Sequence, residues 1–323
     1  MSEPTLDILD INEEFKKRLR KAGAFYLKDL FVFTVSDLMD ILEVDDETAT
    51  RIQYKASELL EELLPEKYGS LSLKDLEKIE KKKTFLHTGS KNLDKILGGG
   101  WASMEVTELA GEFGTGKTQT CYTAIATALL PPEEKGLNTG KIHIMLIDSE
   151  NVYSKKRLEP IFKRFGIKLK ELEEKLIVRK PKHTADQIRI IKSLLPEVRE
   201  KNIRLIIVDS LTKHPRADFS GRKVLYSRQR AIIWMVERLR RIALIYNLVV
   251  LVTNQVVGVP DPFKGTTVRP VGGHVLAHNV DTRLLFRNHR ENIKSVKILD
   301  SSWLPPAETL IKVTNSGITD PEE

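Results

Sequence analysis

The chain reads as an α/β protein with a mainly parallel central sheet, preceded by a small all-helical unit. Three observations point there. A complete G-x-x-x-x-G-K-T loop lies between a strand-like run and a helix-like run. From Thr84 onward, short apolar runs alternate with helical segments, the pattern of parallel strands joined by crossover helices. Residues 1–64 carry apolar side chains at helical spacing.

Taken in order, Asn12–Ala22, Val35–Leu42 and Asp46–Leu64 are expected as helices, with Ser36 and Asp45 or Asp46 as caps. Gly23 and the Glu43–Asp46 stretch supply the turns. Residues 65–83 turn rich in Lys, Glu and Leu and end in Lys81-Lys82-Lys83, a linker helix or tether. Residues 84–323 form the larger domain. Gly98-Gly99-Gly100 breaks the chain, Met104–Ala110 alternates like a strand, and Thr118–Leu130 is Gly-free and Pro-free like a helix. Leu129–Gly140 reads as a surface loop. Further strands are expected at Ile142–Ile147, Leu176–Arg179, Leu205–Val208 and Leu248–Val252. Helices fall at Lys155–Phe165, Ala185–Glu200 and Lys223–Tyr246. Thr282–Phe286, Val296–Leu299 and Thr309–Val313 look like antiparallel hairpin strands closing the sheet.

Composition excludes some classes of function. With 323 residues, 41% hydrophobic and 30% charged, the chain resembles a soluble globular protein rather than a disordered one. A net charge of +7 permits a polyanionic partner without requiring one, because 45 acidic residues are interspersed. The lone Cys121 rules out a disulfide framework. No apolar run reaches the ~18 residues of a membrane helix. Met1-Ser2-Glu3-Pro4 does not start like a signal peptide. The expectation is an intracellular protein: cytoplasm or nucleoid in an archaeal cell, nucleus in a eukaryotic one.

The chemistry concentrates at strand ends. Gly111, Gly114 and Gly116, with Glu112, Phe113 and Thr115 between them, form a nest whose N–H groups face phosphate oxygens at a helix N-terminus. Lys117 would reach the β- and γ-phosphates of ATP and the Thr118 hydroxyl would ligate Mg²⁺. Leu205-Ile206-Ile207-Val208-Asp209 has the form of a Walker B strand, with Asp209 as a second holder of Mg²⁺. Glu150, just past the strand ending in Asp148, is placed to orient or deprotonate the attacking water. Gln255, in Thr253-Asn254-Gln255, is placed to sense the γ-phosphate. Two basic segments hang from neighbouring strand ends. Lys213–Lys223 holds Lys213, His214, Arg216, Arg222 and Lys223. Val256–Pro270 holds Lys264 and Arg269 and runs into Gly272-Gly273-His274. Both read as long loops, and together they make a clamp for a nucleic-acid backbone that the triphosphate could order.

From about Thr88 to the end these residues resemble the core of the RecA-type strand-exchange ATPases, the archaeal RadA recombinases and their eukaryotic relatives. The resemblance rests on Thr88-Gly89-Ser90, Leu93-Asp94, the glycine triplet and the run 111–119 through Gln119. It continues in Asp148-Ser149-Glu150-Asn151, Phe219-Ser220-Gly221-Arg222, Arg228-Gln229, Thr253-Asn254-Gln255, Gly272-Gly273-His274 and Asp300-Ser301. It implies Glu150 as catalytic carboxylate, Gln255 as sensor and Arg157 packing on the adenine. Arg216, Arg222 and Arg228 fall in or beside a first DNA-binding loop, and Val256–Pro270 in a second. Asp300 caps the ATP of a neighbouring protomer. Such proteins form a homo-oligomer, here a filament or a ring, that holds single-stranded DNA and tests it against duplex DNA. Other recombination proteins are possible partners.

Residues 1–64 resemble the helix-hairpin-helix N-terminal domain of the same proteins, in Leu19-Arg20-Lys21-Ala22-Gly23. The turns that present backbone N–H groups to DNA there read Asp10-Ile11-Asn12-Glu13 and Glu43-Val44-Asp45-Asp46 here, so this domain is expected to pack or regulate. Ser70-Leu71-Ser72-Leu73 stands where the family has a Phe-x-x-Ala linker anchor. Lys223 replaces a glycine, Ser149 a threonine and Ser302 a proline. Two rivals stay open at this point: a recombinase paralogue acting as mediator, and a ring-forming RecA-type helicase or signalling ATPase.

Overall fold

The computed structural model describes residues 3–261 and 265–322. The N-terminal unit contains α1 (Glu13–Lys21), α2 (Val35–Leu42) and α3 (Asp46–Leu63). Thr34, not Ser36, caps α2: its hydroxyl accepts from the Asp37 N–H at 3.1 Å and Asp37 returns a bond to the Thr34 N–H at 2.9 Å. Ser36 lies inside the first turn, where it cannot take that role. Asp45 caps α3, accepting from the Thr48 N–H at 2.8 Å. Next come α4 (Pro65–Tyr68) and α5 (Leu73–Glu80). No residue of α5 is buried, and Leu73 is 80% exposed.

β1 (Phe85–Leu86) and β2 (Trp101–Ala102) pair across α6 (Lys91–Ile96) as a small antiparallel ladder. The main body then runs β3 (Glu105–Gly111), α7 (Lys117–Ala128), β4 (His143–Asp148), α8 (Lys155–Arg164), α9 (Leu169–Lys175) and β5 (Leu176–Arg179). It continues with α10 (Thr184–Lys192), α11 (Leu194–Glu200), β6 (Ile203–Asp209), α12 (Lys213–Asp218), α13 (Leu225–Tyr246) and β7 (Val249–Asn254). Last come β8 (Val256–Asp261), β9 (Gly265–Pro270), α14 (Gly273–Ala277), β10 (Thr282–Arg290), β11 (Ile293–Ser301), β12 (Glu308–Thr314) and β13 (Gly317–Thr319). Among the described residues the large sheet is ordered β13-β12-β11-β10-β3-β7-β6-β4-β5. The steps from β10 to β5 are parallel and those from β10 to β13 antiparallel. β3, β6 and β7 are buried almost throughout, as strands covered on both faces must be.

Three expectations need correction. The helix expected over Ala185–Glu200 is two helices, because Pro196 has no N–H to give the Lys192 carbonyl and the chain re-enters at Ser193. The basic segment expected as a loop over Lys213–Lys223 begins with α12, whose His214 and Pro215 are buried. The second expected loop is mostly the antiparallel pair β8–β9, with Val256 opposite Pro270 and Val257 opposite Arg269. Its β-branched residues favour pairing, and prolines are tolerated because each strand of a two-stranded ribbon has an open side. Lys264 lies outside the described residues.

The N-terminal unit shares one apolar cluster with the main body. Leu27, Leu30 and Phe33 belong to the same cluster as Leu194, Val198 and Leu239. Fully burying such side chains stabilises by roughly 1.5–3 kcal/mol each. Gly23, at φ 95°, lies against Pro196, where a Cβ would fall 2.5 Å from Cδ. Polar contacts fix the orientation. Arg238 is buried, donates to the Val32 carbonyl at 3.0 Å, stacks 4.4 Å from the Phe33 ring centre and lies 3.7 Å from Asp37. Burial pulls its guanidinium down to about 10, with Asp37 opposing. In the two acidic turns the Ile11 N–H donates to the Leu9 carbonyl and the Glu43 and Val44 N–H groups to the Met39 carbonyl, while the turns' side chains and carbonyls accept. Asn12 accepts from the Glu14 N–H at 2.8 Å, Asp45 from Thr48, and Arg18 closes onto the Leu42 carbonyl and Glu43. No described helix is long and apolar enough to cross a membrane. Arg238→Ala is expected to cost about 3 kcal/mol and to free the N-terminal unit first. A denaturation curve split into two transitions, with early proteolytic cleavage near residue 70, would mark that outcome; an unchanged midpoint would not.

Candidate nucleotide and nucleic-acid site

Register places the chemistry on one edge. Ala110 stands opposite Asn254 in the β3–β7 ladder, and Asp148 opposite Asp209 in β4–β6. The loop after β3, Glu150 after β4, Asp209 ending β6 and Gln255 after β7 therefore surround one cavity of about 850 Å³. Gly116 caps α7 at φ 94°, and a Cβ there would meet Val313 Cγ2 at 2.7 Å. Only glycine takes both that dihedral and that approach at no cost. The Lys117 ammonium donates to the Gly111 and Glu112 carbonyls at 2.8 and 2.7 Å, and the Thr115 hydroxyl also donates to Glu112. Burial lowers the Lys117 pKa despite Asp209 nearby, so an anion in the loop would restore what desolvation removes.

Asp209 is almost fully buried. It accepts from the Thr118 hydroxyl at 2.8 Å and from Thr253 at 2.5 Å. Burial pushes its carboxyl upward and the two hydroxyl bonds resist. Among the described residues no three His, Cys, Asp or Glu side chains converge on a metal position. One hydroxyl and one carboxylate beside a phosphate loop suit Mg²⁺, which keeps waters and takes substrate phosphates as its other ligands. The cavity volume suits a nucleotide. On its outer wall Arg157 donates to the Gln119 side chain at 3.1 Å and lies 5.2 Å from the Tyr122 ring centre. Gln119 in turn donates to the Thr314 carbonyl at 3.0 Å. Phe113 projects from the loop, 97% exposed.

Glu150 and Lys117 both line the cavity. The Glu150 carboxylate accepts from the Ser210 hydroxyl at 2.8 Å and lies 3.5 Å from the Lys213 ammonium, which also donates to the Ser149 carbonyl at 2.9 Å. Lys213 is thus tied to Glu150 and to the segment after β4 rather than lying free in a loop. Gln255 accepts from the Arg216 guanidinium at 2.7 Å. Behind it, the buried Asn254 donates to Glu108 at 2.6 Å and to the Val271 carbonyl at 2.7 Å, and accepts from the Thr212 hydroxyl at 2.8 Å. That single amide ties β3, the entry to α12 and the exit of the β8–β9 ribbon.

The remaining expected residues spread outward. Lys223 and Arg269 are exposed, Arg228 is half-buried, and Gly272 and Gly273 take φ 94° and 56°. Arg222 lies in a short 3₁₀ turn before α13. Asp300, on β11, is exposed and does not line the cavity of its own chain. Tyr226, which the sequence reading passed over, is 76% exposed on the first turn of α13 among Lys223, Arg228 and Arg230. An aromatic interleaved with cations was the available signal.

A family model described as Rad51 matches residues 80–321. The chain belongs to the Rad51 family. It is 34% identical over 321 residues to a DNA repair and recombination protein RadA of Metallosphaera sedula, covering 98% of this chain and 95% of that relative. A RadA of Aeropyrum pernix is 34% identical over 316 residues, covering 98% and 96%. A RadA of Ignicoccus hospitalis is 37% identical over 238 residues, covering 73% of each chain. As a Rad51-family member the chain carries a RecA-type core, in agreement with its parallel sheet and phosphate loop. Gly116→Ala is expected to weaken binding of a fluorescent ATP analogue at least tenfold while the thermal midpoint moves only a few degrees; undiminished binding would remove the close-approach argument.

Proposed function

We infer that this chain is a DNA-dependent ATPase of homologous recombination and repair, which assembles with copies of itself on single-stranded DNA and promotes strand exchange with a duplex. The observation that carries this reading is the hydrogen bond from Arg216 to Gln255. It joins a side chain of the nucleotide cavity to a helix assigned to DNA contact. The RadA names of the relatives support it.

In this reading Gly111–Thr118 cradle the phosphates of ATP and Thr118 with Asp209 hold Mg²⁺, which would supply charge neutralisation of the phosphate oxygens. Glu150, poised by Ser210 and Lys213, orients a water and takes its proton. Gln255 has one side-chain oxygen to share between Arg216 and the nucleotide cavity, so occupancy of that cavity changes where Arg216 is held. Arg216, Arg222, Lys223, Arg228 and Arg269 supply cations for the phosphodiester backbone, with Gly272 and Gly273 allowing close approach. Asp300 serves the neighbouring protomer's nucleotide.

The deciding experiment is strand exchange with matched and mismatched duplexes, wild type beside Lys117→Ala. The variant should lose nucleotide binding and exchange together, and a wild type that fails to discriminate matched from mismatched duplex would sink the reading. Glu150→Gln should keep ATP and DNA binding while turnover falls about 10²–10⁴-fold; retained turnover would remove Glu150 from the base role. Arg216→Ala should leave ATP affinity near wild type but make single-strand affinity the same with ATP analogue and with ADP. In wild type, neutralising about four phosphates gives a log–log salt slope near −3 on single strands.

A further inference from the structure

Two triplets, Lys81-Lys82-Lys83 and Gly98-Gly99-Gly100, lie outside the nucleotide and nucleic-acid sites, and both converge on Trp303. The Trp303 ring lies against Gly98, where a Cβ would fall 2.8 Å from its Cζ3 and Cη2 atoms. It meets the Phe85 ring edge-on, with centres 6.0 Å apart, and the Lys83 ammonium lies 4.6 Å from its centre. Lys83 also pairs with Glu105, the buried first residue of β3. Burial raises the Glu105 carboxyl, against the pull of Lys83 and of the Trp303 indole. An ammonium between a carboxylate and an aromatic face is held from two sides. The Lys82 carbonyl accepts from the Asn247 side chain at 3.0 Å, and the Ser103 N–H donates to the Thr84 carbonyl at 2.8 Å. The end of the linker is therefore fastened to the main body at this point.

Trp303 follows Asp300 by three residues, just past the end of β11. Asp300 stands opposite Arg283 while Ile298 stands opposite Leu284, so Leu299 is the extra residue of a bulge. A bulge re-aims the side chains beside it. Beyond the bulge, backbone bonds are long: the Ser302 N–H reaches the Asp281 carbonyl at 3.3 Å and the Leu304 N–H the Ser301 hydroxyl at 3.3 Å. Bonds of that length hold a turn only weakly. Trp303 is the one aromatic of this turn, and it is seated on the linker. We propose that Trp303 is a positioning residue: clasped by Lys83 against Gly98, it holds the end of β11 so that Asp300 meets a neighbouring protomer's nucleotide. The proposal deepens the reading above and rests on its assignment of Asp300. That carboxylate is exposed and does not line its own chain's cavity, so its use depends on where the strand end aims it. Because Lys83 ends the linker, the aim of Asp300 is tied to the segment that joins the N-terminal unit to the core.

The test uses the full chain on single-stranded DNA, with turnover followed across ATP concentration. Asp300→Ala and Trp303→Ala should each raise KM about tenfold with kcat within about twofold of wild type, the pattern of a lost ground-state contact. Trp303→Phe, which keeps a ring against Gly98, should stay within about threefold of the wild-type KM, and Lys83→Gln should fall between the two Trp303 variants. Lys117→Ala chains keep an intact β11 end. Added in excess to Trp303→Ala, they should return KM to near wild type, because the affected contact is made across the interface. A wild-type KM in Trp303→Ala or in Lys83→Gln, beside a raised KM in Asp300→Ala, overturns the proposal. So does a Trp303→Ala defect that Lys117→Ala chains do not relieve, since the damage would then lie in the variant's own fold. A wild-type KM in Asp300→Ala overturns instead the assignment of Asp300 in the recombinase reading, and the positioning role with it.

Discussion

The whole site depends on a carboxylate that has been taken out of water. Asp209 is 4% exposed and survives there because Thr118 and Thr253 each give it a hydroxyl bond. Those donors come from the helix after the phosphate loop and from the next strand of the sheet. The same network that keeps a buried charge tolerable thus locks the loop, β6 and β7 into one unit. Removing either hydroxyl would leave the other to hold an under-paired anion, so the phosphate-loop helix and the ends of β6 and β7 act as a single rigid piece.

From that rigid centre, information has only a few ways out. Asn254 is fully buried with three partners, so it cannot change state cheaply. Its neighbour Gln255 is half-exposed, and its side-chain oxygen has Arg216 as donor. The fixed residue positions the movable one. An amide at the mouth of the cavity can exchange partners for about the energy of one charge-assisted hydrogen bond, ~1.5–3 kcal/mol. That is enough for a preference of roughly ten- to 150-fold between two arrangements of what lies beyond it.

The sequence made the parallel core and the phosphate loop legible because both obey local rules. Buried parallel strands are continuous apolar runs, and the loop needs fixed residue types at fixed spacing. The boundaries of β5 and α2 fell where periodicity put them. What stayed hidden was set by tertiary context. Lys213 and Arg216 read as generic basic loop residues, since nothing nearby in the chain announces that Glu150 and Gln255, 63 and 39 positions away, would receive them. Prolines in 256–270 suggested a loop because a rule about central strands does not apply to a free two-stranded ribbon. The N-terminal unit looked like a separate module because the apolar stripe on α11 and α13 that receives it is indistinguishable, by pattern alone, from a stripe facing the domain's own sheet.

The most consequential of these hidden features is α12. At six residues it is far shorter than a helix that holds itself together in water. Its state is therefore decided by what it touches. Lys213 and Arg216, three residues apart and so on one face, are bound to Glu150 and to Gln255, while Asp218 at its far end holds the start of α10. The buried His214 ring, 3.0 Å from the Pro181 carbonyl, is a fourth anchor, and two of the four fall on residues that line the candidate nucleotide cavity. A helix too short to be stable alone, and pinned in part by residues of that cavity, is sensitive to what the cavity holds. Under the proposed function, changing the occupant of the cavity would alter contacts that α12 depends on, and with them the placement of its cations.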